Sequence, residues 1–216
     1  MSPLLFGELS KNHFLWLFVQ KFSKMSRGVG GLHMICLNFS PDSEFMQKSS
    51  DSICRQLKSG IISQAKYDKV NVCYCSVDQT ANYLNQTGSG QFSNIVGSVA
   101  FEPFTLKRIK TLLSDLHNFD YSNTESFQDL FLFATDVMVN AKIKANTRTI
   151  TIYSDRWESF QVTQDISRAL EVLKQTVCDV NLVYSNDDTA LKLGKMFCEV
   201  GWDSNFRFHH SSSSLM

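Results

Sequence analysis

"RTITIYSD", Arg148–Asp155, is a short run that stops at the polar pair Ser154–Asp155. It reads as a strand buried on both faces. A helix over Thr163–Gln175, a strand over Val180–Tyr184 and a helix over Asp188–Val200 follow it in turn. Strands alternating with helices of this length predict an α/β fold: a doubly wound, mostly parallel sheet with helices on both faces. Ligands of such sheets sit outside the carboxyl ends of the strands, so that rim is the place to look for function.

The same alternation extends upstream. "LHMICLNF", Leu32–Phe39, is a continuous apolar run, and Pro41-Asp42-Ser43 then punctuates and caps a helix running to about Lys66. Val70–Val77 reads as the next strand, with Val70, Val72, Tyr74 and Ser76 on one face and Cys73, Cys75 and Val77 on the other. The polar stretch "DQTANYLNQTGSGQFSN" separates it from an edge strand over Ile95–Phe101. Beyond Pro103, Leu106, Ile109, Leu112, Leu113 and Leu116 form a helical stripe. Phe127, Leu130, Phe131, Ala134, Val137, Met138 and Ala141 form a stronger one, capped by Asn123-Thr124-Glu125.

At 216 residues with 43% hydrophobic content, the chain is long enough for one sizeable core, expected over residues 25–200. Residues 1–24 read as an amino-terminal extension outside the fold, and residues 201–216, ending "FRFHHSSSSLM", as a polar disordered tail. Lys plus Arg and Asp plus Glu both number 21, so the basic surplus that unaided nucleic-acid binding requires is missing. The longest apolar run, Phe14–Val19, is far short of a membrane span, and no membrane partner is expected.

Cys73-x-Cys75 invites a metal reading, but structural zinc uses wider spacings and a second ligand pair. Cys36, Cys54, Cys73, Cys75, Cys178 and Cys198 instead read as small apolar residues of a reduced protein. "GVGGLH", Gly28–His33, precedes a strand rather than following one, so it is not a dinucleotide loop. No Gly-x-Ser-x-Gly elbow occurs, and the histidines are scattered. Neither catalysis nor a cofactor is expected.

Asn38, Ser40 and Asp42 after the first strand, Thr124 before the long helix and Asp155 after "RTITIYS" resemble the metal-site pattern of the von Willebrand factor A domain family. That family places an Asp-x-Ser-x-Ser loop, a Thr and an Asp around a hard, oxygen-preferring cation. Here Asn38 stands in place of the leading Asp, and Asp42 in place of the second Ser, which makes the site degenerate and no bound metal expected.

Within A-type domains, "DKVNVCYCSVDQTANYL", Asp68–Leu84, resembles the larger subunit of the Ku heterodimer. There an acidic residue leads a strand ending in a small residue-x-Asp-x-Thr-x-Asn turn and a Leu. The register continues through "GQFSNIV", "FEPFTLKRIKTL", "SFQDLFLFATDVM", "RTITIYSD" and "CDVNLVY". The resemblance implies a nuclear, non-catalytic protein-interaction domain of double-strand-break repair by end joining and of telomere maintenance. Its partners would be the smaller Ku subunit and short peptide motifs of repair factors. Double-stranded DNA ends would be reached only through the heterodimer, because the family's DNA-encircling barrel is absent from this stretch. Carried over by register, Leu84, Phe92 and Leu132 are the expected protein-binding residues. Two further readings are a metal-assisted A-type adhesion or assembly module using Ser40, Thr124 and Asp155, and a doubly wound enzyme.

Overall fold

A computed structural model describes residues 29–41, 43–62, 67–85, 92–122, 127–157, 160–184, 187–199 and 206–210. The extension expected over residues 1–24, the end of the tail, Asp42 and Thr124 lie outside the described residues.

In chain order the elements are β1 (Gly31–Asn38), α1 (Glu44–Ile62), β2 (Lys69–Cys75), β3 (Ile95–Gly97), β4 (Glu102–Pro103), α2 (Leu106–Asn118), α3 (Phe127–Asn140), β5 (Thr147–Ser154), α4 (Gln164–Gln175), β6 (Cys178–Tyr184), α5 (Asp187–Glu199) and β7 (Phe206–His210). They form one sheet in the order β3-β2-β1-β5-β6-β7, with β4 also paired to β2. Every pairing from β2 to β7 is parallel, and the two short pieces on β2's outer edge are antiparallel. The mostly parallel doubly wound α/β sheet is therefore present.

Alternation along each strand divides the core into two layers. Leu32, Met34 and Cys36 of β1, Cys73 and Cys75 of β2, Ile150 and Ile152 of β5, and Val180 and Leu182 of β6 point to the layer covered by α3, α4 and α5. Ile35, Leu37, Val70, Val72, Tyr74 and Tyr153 point to the layer covered by α1 and α2. Helix placement follows from right-handed crossovers. From β1 the chain steps outward to β2 through α1, and from β5 it steps the other way through α4. The two helices land on opposite faces, and the crossover direction reverses between β1 and β5.

Local signals set the helix starts. Thr105 caps α2 by accepting from the Arg108 N–H at 3.2 Å, and Thr163 caps α4 by accepting from the Ile166 N–H at 3.3 Å. Gly97 stands where β3 meets α3, since a Cβ there would lie 2.7 Å from Phe133 Cε1.

Three sequence expectations are corrected. Ser76 has φ of 57°, which ends β2 at Cys75 and turns Val77 into the α1/α2 layer instead of the cysteine face. The strand expected over Ile95–Phe101 stops at Gly97, and the two-residue β4 at Glu102–Pro103 follows as a separate piece. The tail expected from residue 201 contains β7, whose backbone pairs with β6. An open parallel edge accepts another strand whatever its polarity, and the alternation of Phe206 and Phe208 is the period-two signal for it.

Candidate functional site

The reversal point between β1 and β5 carries a closed ring of hydrogen bonds among buried and half-buried polar groups. Asn38 is buried at the end of β1, and its Nδ2 donates to Ser154 Oγ at 3.1 Å. Its Oδ1 accepts from Ser76 Oγ at 2.7 Å, which ties β1 to the end of β2. Ser76 O accepts from the Ser122 N–H at 2.6 Å, reaching the segment that leads toward α3. Arg156 closes the circuit. Its backbone N–H donates to Ser154 Oγ at 3.0 Å, its Nε to Ser40 Oγ at 3.0 Å and its Nη2 to Ser122 O at 2.7 Å.

Asp155 anchors the loop after β1 from beside this ring. Its Oδ1 accepts from the Ser40 N–H at 2.9 Å and from Ser40 Oγ at 3.3 Å, and its Oδ2 accepts from Ser43 Oγ. Ser43 Oγ in turn accepts from the Met46 N–H at 3.3 Å, capping α1. Asn38, Ser40 and Asp155, singled out from the sequence, thus come together, while Asp42 and Thr124 lie outside the described residues. Ser76, Ser122 and Arg156 were not foreseen. For Arg156 the one available signal was a basic residue directly after Asp155.

A second cluster lies along the β2–β3 connection. Asn82 is 9% exposed and organises it. Its Nδ2 donates to Phe92 O and to Ile95 O, both at 2.9 Å, and its Oδ1 accepts from the Asn85 N–H at 3.0 Å. Thr80 Oγ1 accepts from the Asn94 N–H at 2.9 Å, and Asn94 Nδ2 donates to Val77 O at 2.8 Å. The Thr-x-Asn spacing therefore has a physical reason: both side chains hold the far end of the same loop. Phe92 and Asn94 have φ of 59°, a conformation that costs a non-glycine residue roughly 1 kcal/mol and persists where neighbours enforce it. For Phe92 the enforcement includes Asp129 of α3, whose Oδ2 accepts the Phe92 N–H at 3.0 Å.

Leu84, Phe92 and Leu132 are all half-buried and pack against the core layer under α3. Leu132 is the partly exposed residue in a stretch of α3 whose neighbours Phe131 and Phe133 are buried. A concave pocket of about 330 Å³ opens nearby, lined by Tyr83, Val99, Val137, Asn140, Ala141 and Lys142. Its lining joins the carboxyl end of α3 and the two residues after it to Tyr83 of the β2–β3 connection and Val99 beyond β3, and includes none of Leu84, Phe92 and Leu132.

Cys73-x-Cys75 contributes no reactive chemistry to this end of the sheet. Cys73 lies opposite Cys36 in the β1–β2 register, and both are buried. Burial is the main cause that pushes the Cys75 thiol up to about 12, with Cys73 adding to it, and burial also drives Cys73 well above the ordinary thiol range. Among the described residues, no group of three or more His, Cys, Asp or Glu side chains is placed to hold a metal.

No family model matches the chain, and no curated protein matches it. Solved structures do. The pilus adhesin SpaC from Lactobacillus rhamnosus GG, in its open conformation, aligns with a TM-score of 0.58 over 85% of this chain at 10% identity. The chain spans 28% of that adhesin's length. The SpRpn10 VWA domain aligns with a TM-score of 0.54 over 84% of this chain and 87% of its own length, at 11% identity. The fold is von Willebrand factor A-like. Identities this low establish the fold alone.

In a von Willebrand A-like sheet the β1/β5 rim is where the family's cation would bind, so the donors there decide whether one fits. A divalent ion of the Mg²⁺ type needs carboxylate charge and oxygen atoms free to turn toward it. Asn38 offers a neutral amide whose oxygen is already on Ser76. Both Asp155 oxygens accept from Ser40 and Ser43, and a guanidinium stands among the loops. The described donors do not fit a divalent cation.

Proposed function

We propose that this chain is a Ku-larger-subunit-like domain that works by docking other proteins, without catalysis. In this reading it serves double-strand-break repair by end joining and telomere maintenance in the nucleus. Its partners are the smaller Ku subunit and short peptide motifs of repair factors. It meets double-stranded DNA ends only as part of the heterodimer, consistent with its zero formal net charge.

One observation carries the reading. The stretch of sequence that bears the family resemblance is also the one whose side chains build a loop, with Thr80 and Asn82 holding Phe92, Asn94 and Ile95 in place. That loop sets Leu84 and Phe92 half-buried against the core layer that Leu132 of α3 also joins. Half-buried apolar residues on a preset backbone suit a short peptide's aromatic or aliphatic anchors, because the receptor loses little entropy on binding. The metal-assisted adhesion reading is weaker, since it needs carboxylate ligands that Asn38 does not provide and Asp155 has already committed.

The test is a pull-down of the smaller Ku subunit and titration of a fluorescent repair-factor peptide, with Leu84→Ala, Phe92→Ala and Leu132→Ala as variants. Each substitution is expected to weaken the peptide about tenfold, the loss of one well-packed anchor. A gel shift on blunt duplex DNA should appear only when the partner subunit is added. Failure of both the association and the partner-dependent shift would sink the proposal.

A further inference from the structure

We propose that the Arg156 guanidinium is a built-in cation that replaces the divalent ion at the β1/β5 rim, holding the rim's loops in one metal-independent arrangement. This goes beyond the docking reading and stands whether or not that reading holds.

Three features of the site carry it. The first is position. Nε on Ser40 Oγ at 3.0 Å and Nη2 on Ser122 O at 2.7 Å join the loop after β1 to the segment before α3, and the Arg156 backbone itself belongs to the loop after β5. These are the three loops that supply ligands in the metal-site pattern, and one side chain bridges all three. A planar guanidinium with donors splayed at fixed angles can satisfy two separated acceptors at once, as a lysine ammonium on a flexible stem does less well.

Charge is the second. The family pattern sets two carboxylates, one after the first strand and one after the strand that here ends at Ser154, against a doubly charged ion. Among the described residues the leading carboxylate position holds the neutral Asn38, and Asp155 faces the single positive charge of Arg156. Ser40 Oγ mediates between the two ions, accepting from Arg156 and donating to Asp155.

The third is closure. Asn38, Ser76 and Ser154 are at most 1% exposed, and each has a protein partner within the ring. Buried polar groups left short of partners are costly, and a site emptied of its metal would leave oxygens facing one another. Asn38 avoids that by presenting a donor to Ser154 and an acceptor to Ser76.

The experiment titrates the wild-type chain with MgCl₂ and MnCl₂ calorimetrically and records thermal melts in EDTA or MgCl₂. Parallel melts use Arg156→Ala, Arg156→Lys and the double variant Asn38→Asp/Arg156→Ala. Wild type is expected to bind neither ion and to melt at the same temperature in both buffers. Arg156→Ala should melt roughly 4–8 °C lower whatever the metal, and Arg156→Lys should fall between. The double variant restores the carboxylate and vacates the centre, so Mg²⁺ should raise its melting temperature where it leaves wild type unmoved. Saturable Mg²⁺ binding that stabilises wild type would overturn the inference, as would an Arg156→Ala melt equal to wild type or a double variant indifferent to Mg²⁺. Should the double variant not fold, the wild-type titration and the Arg156→Lys melt still decide.

Discussion

Replacing Asn82 by Ala removes the side chain that holds the β2–β3 connection, and the structure sets the size of the effect. Three hydrogen bonds go, but they are not equal. Ile95 O keeps the Ala81 N–H at 3.0 Å, so losing its second donor costs about 0.5–1 kcal/mol. The Phe92 O bond contributes a further ~1 kcal/mol in its half-buried site. The Asn85 N–H lies near enough to solvent for water to take over, at about 0.5 kcal/mol. Against this, a released Phe92 can leave its φ of 59° and recover up to ~1 kcal/mol. Urea unfolding of Asn82→Ala should therefore show a loss of about 1–2.5 kcal/mol with an unchanged m-value. Hydrogen exchange should speed up over residues 92–97 while β5 and β6 stay protected. A loss below about 0.5 kcal/mol, the range of an ordinary surface substitution, would refute the claim that Asn82 organises this loop.

Two further outcomes are expected. In a native thiol assay with a bulky disulfide reagent, the exposed Cys198 and half-buried Cys54 should react, while the buried Cys36, Cys73, Cys75 and Cys178 react only after unfolding. Fast reaction of four or more of the six thiols would show that the core is not packed as described. Acid stability should depend on Asp68: burial by itself would raise its carboxyl, but the His33 ring, the Gly31 N–H at 2.7 Å and the His33 charge together outweigh it and hold it below its ordinary value. A carboxyl depressed on folding stabilises at pH above its unfolded value, near 4, and that stability is lost as pH falls through the folded value. Asp68→Asn should therefore flatten the decline in unfolding free energy below about pH 4, and an acid limb as steep as wild type would contradict the assignment.

The layered sheet was legible because its strands are short apolar runs and its helices carry apolar stripes, signals set by burial on both faces. Ser76 was not. Nothing in "YCSVD" marks a positive φ at a serine, and the turn is imposed by what Ser76 bonds to, Asn38 from another strand and Ser122 from another loop. The same holds for Arg156, whose partners Ser40 and Ser122 lie far away in sequence. Asn38 could be read as a departure from a metal pattern but not as a donor to Ser154, because that role depends on the register of β1 against β5. Composition and periodicity reveal elements. Ring contacts between strand ends depend on how those elements are stacked.

The ring at β1/β5 and the loop that sets Leu84 and Phe92 meet at consecutive residues. Ser76 belongs to the ring through Asn38 and Ser122. Val77, the next residue, donates its N–H to Asn94 O at 3.3 Å and accepts Asn94 Nδ2 through its own carbonyl. A rim set by an exchangeable ion would pass its loading state to this strand end, and from there to the loop. A rim set by a covalently attached guanidinium has no loading state to pass on. The two proposals together therefore require peptide affinity at Leu84, Phe92 and Leu132 to be the same in EDTA and in Mg²⁺, yet to weaken in Arg156→Ala, where the Ser122 tie to Ser76 loses its support. Affinity that follows Mg²⁺ in the wild-type chain would break that link and return the rim to the metal-assisted reading.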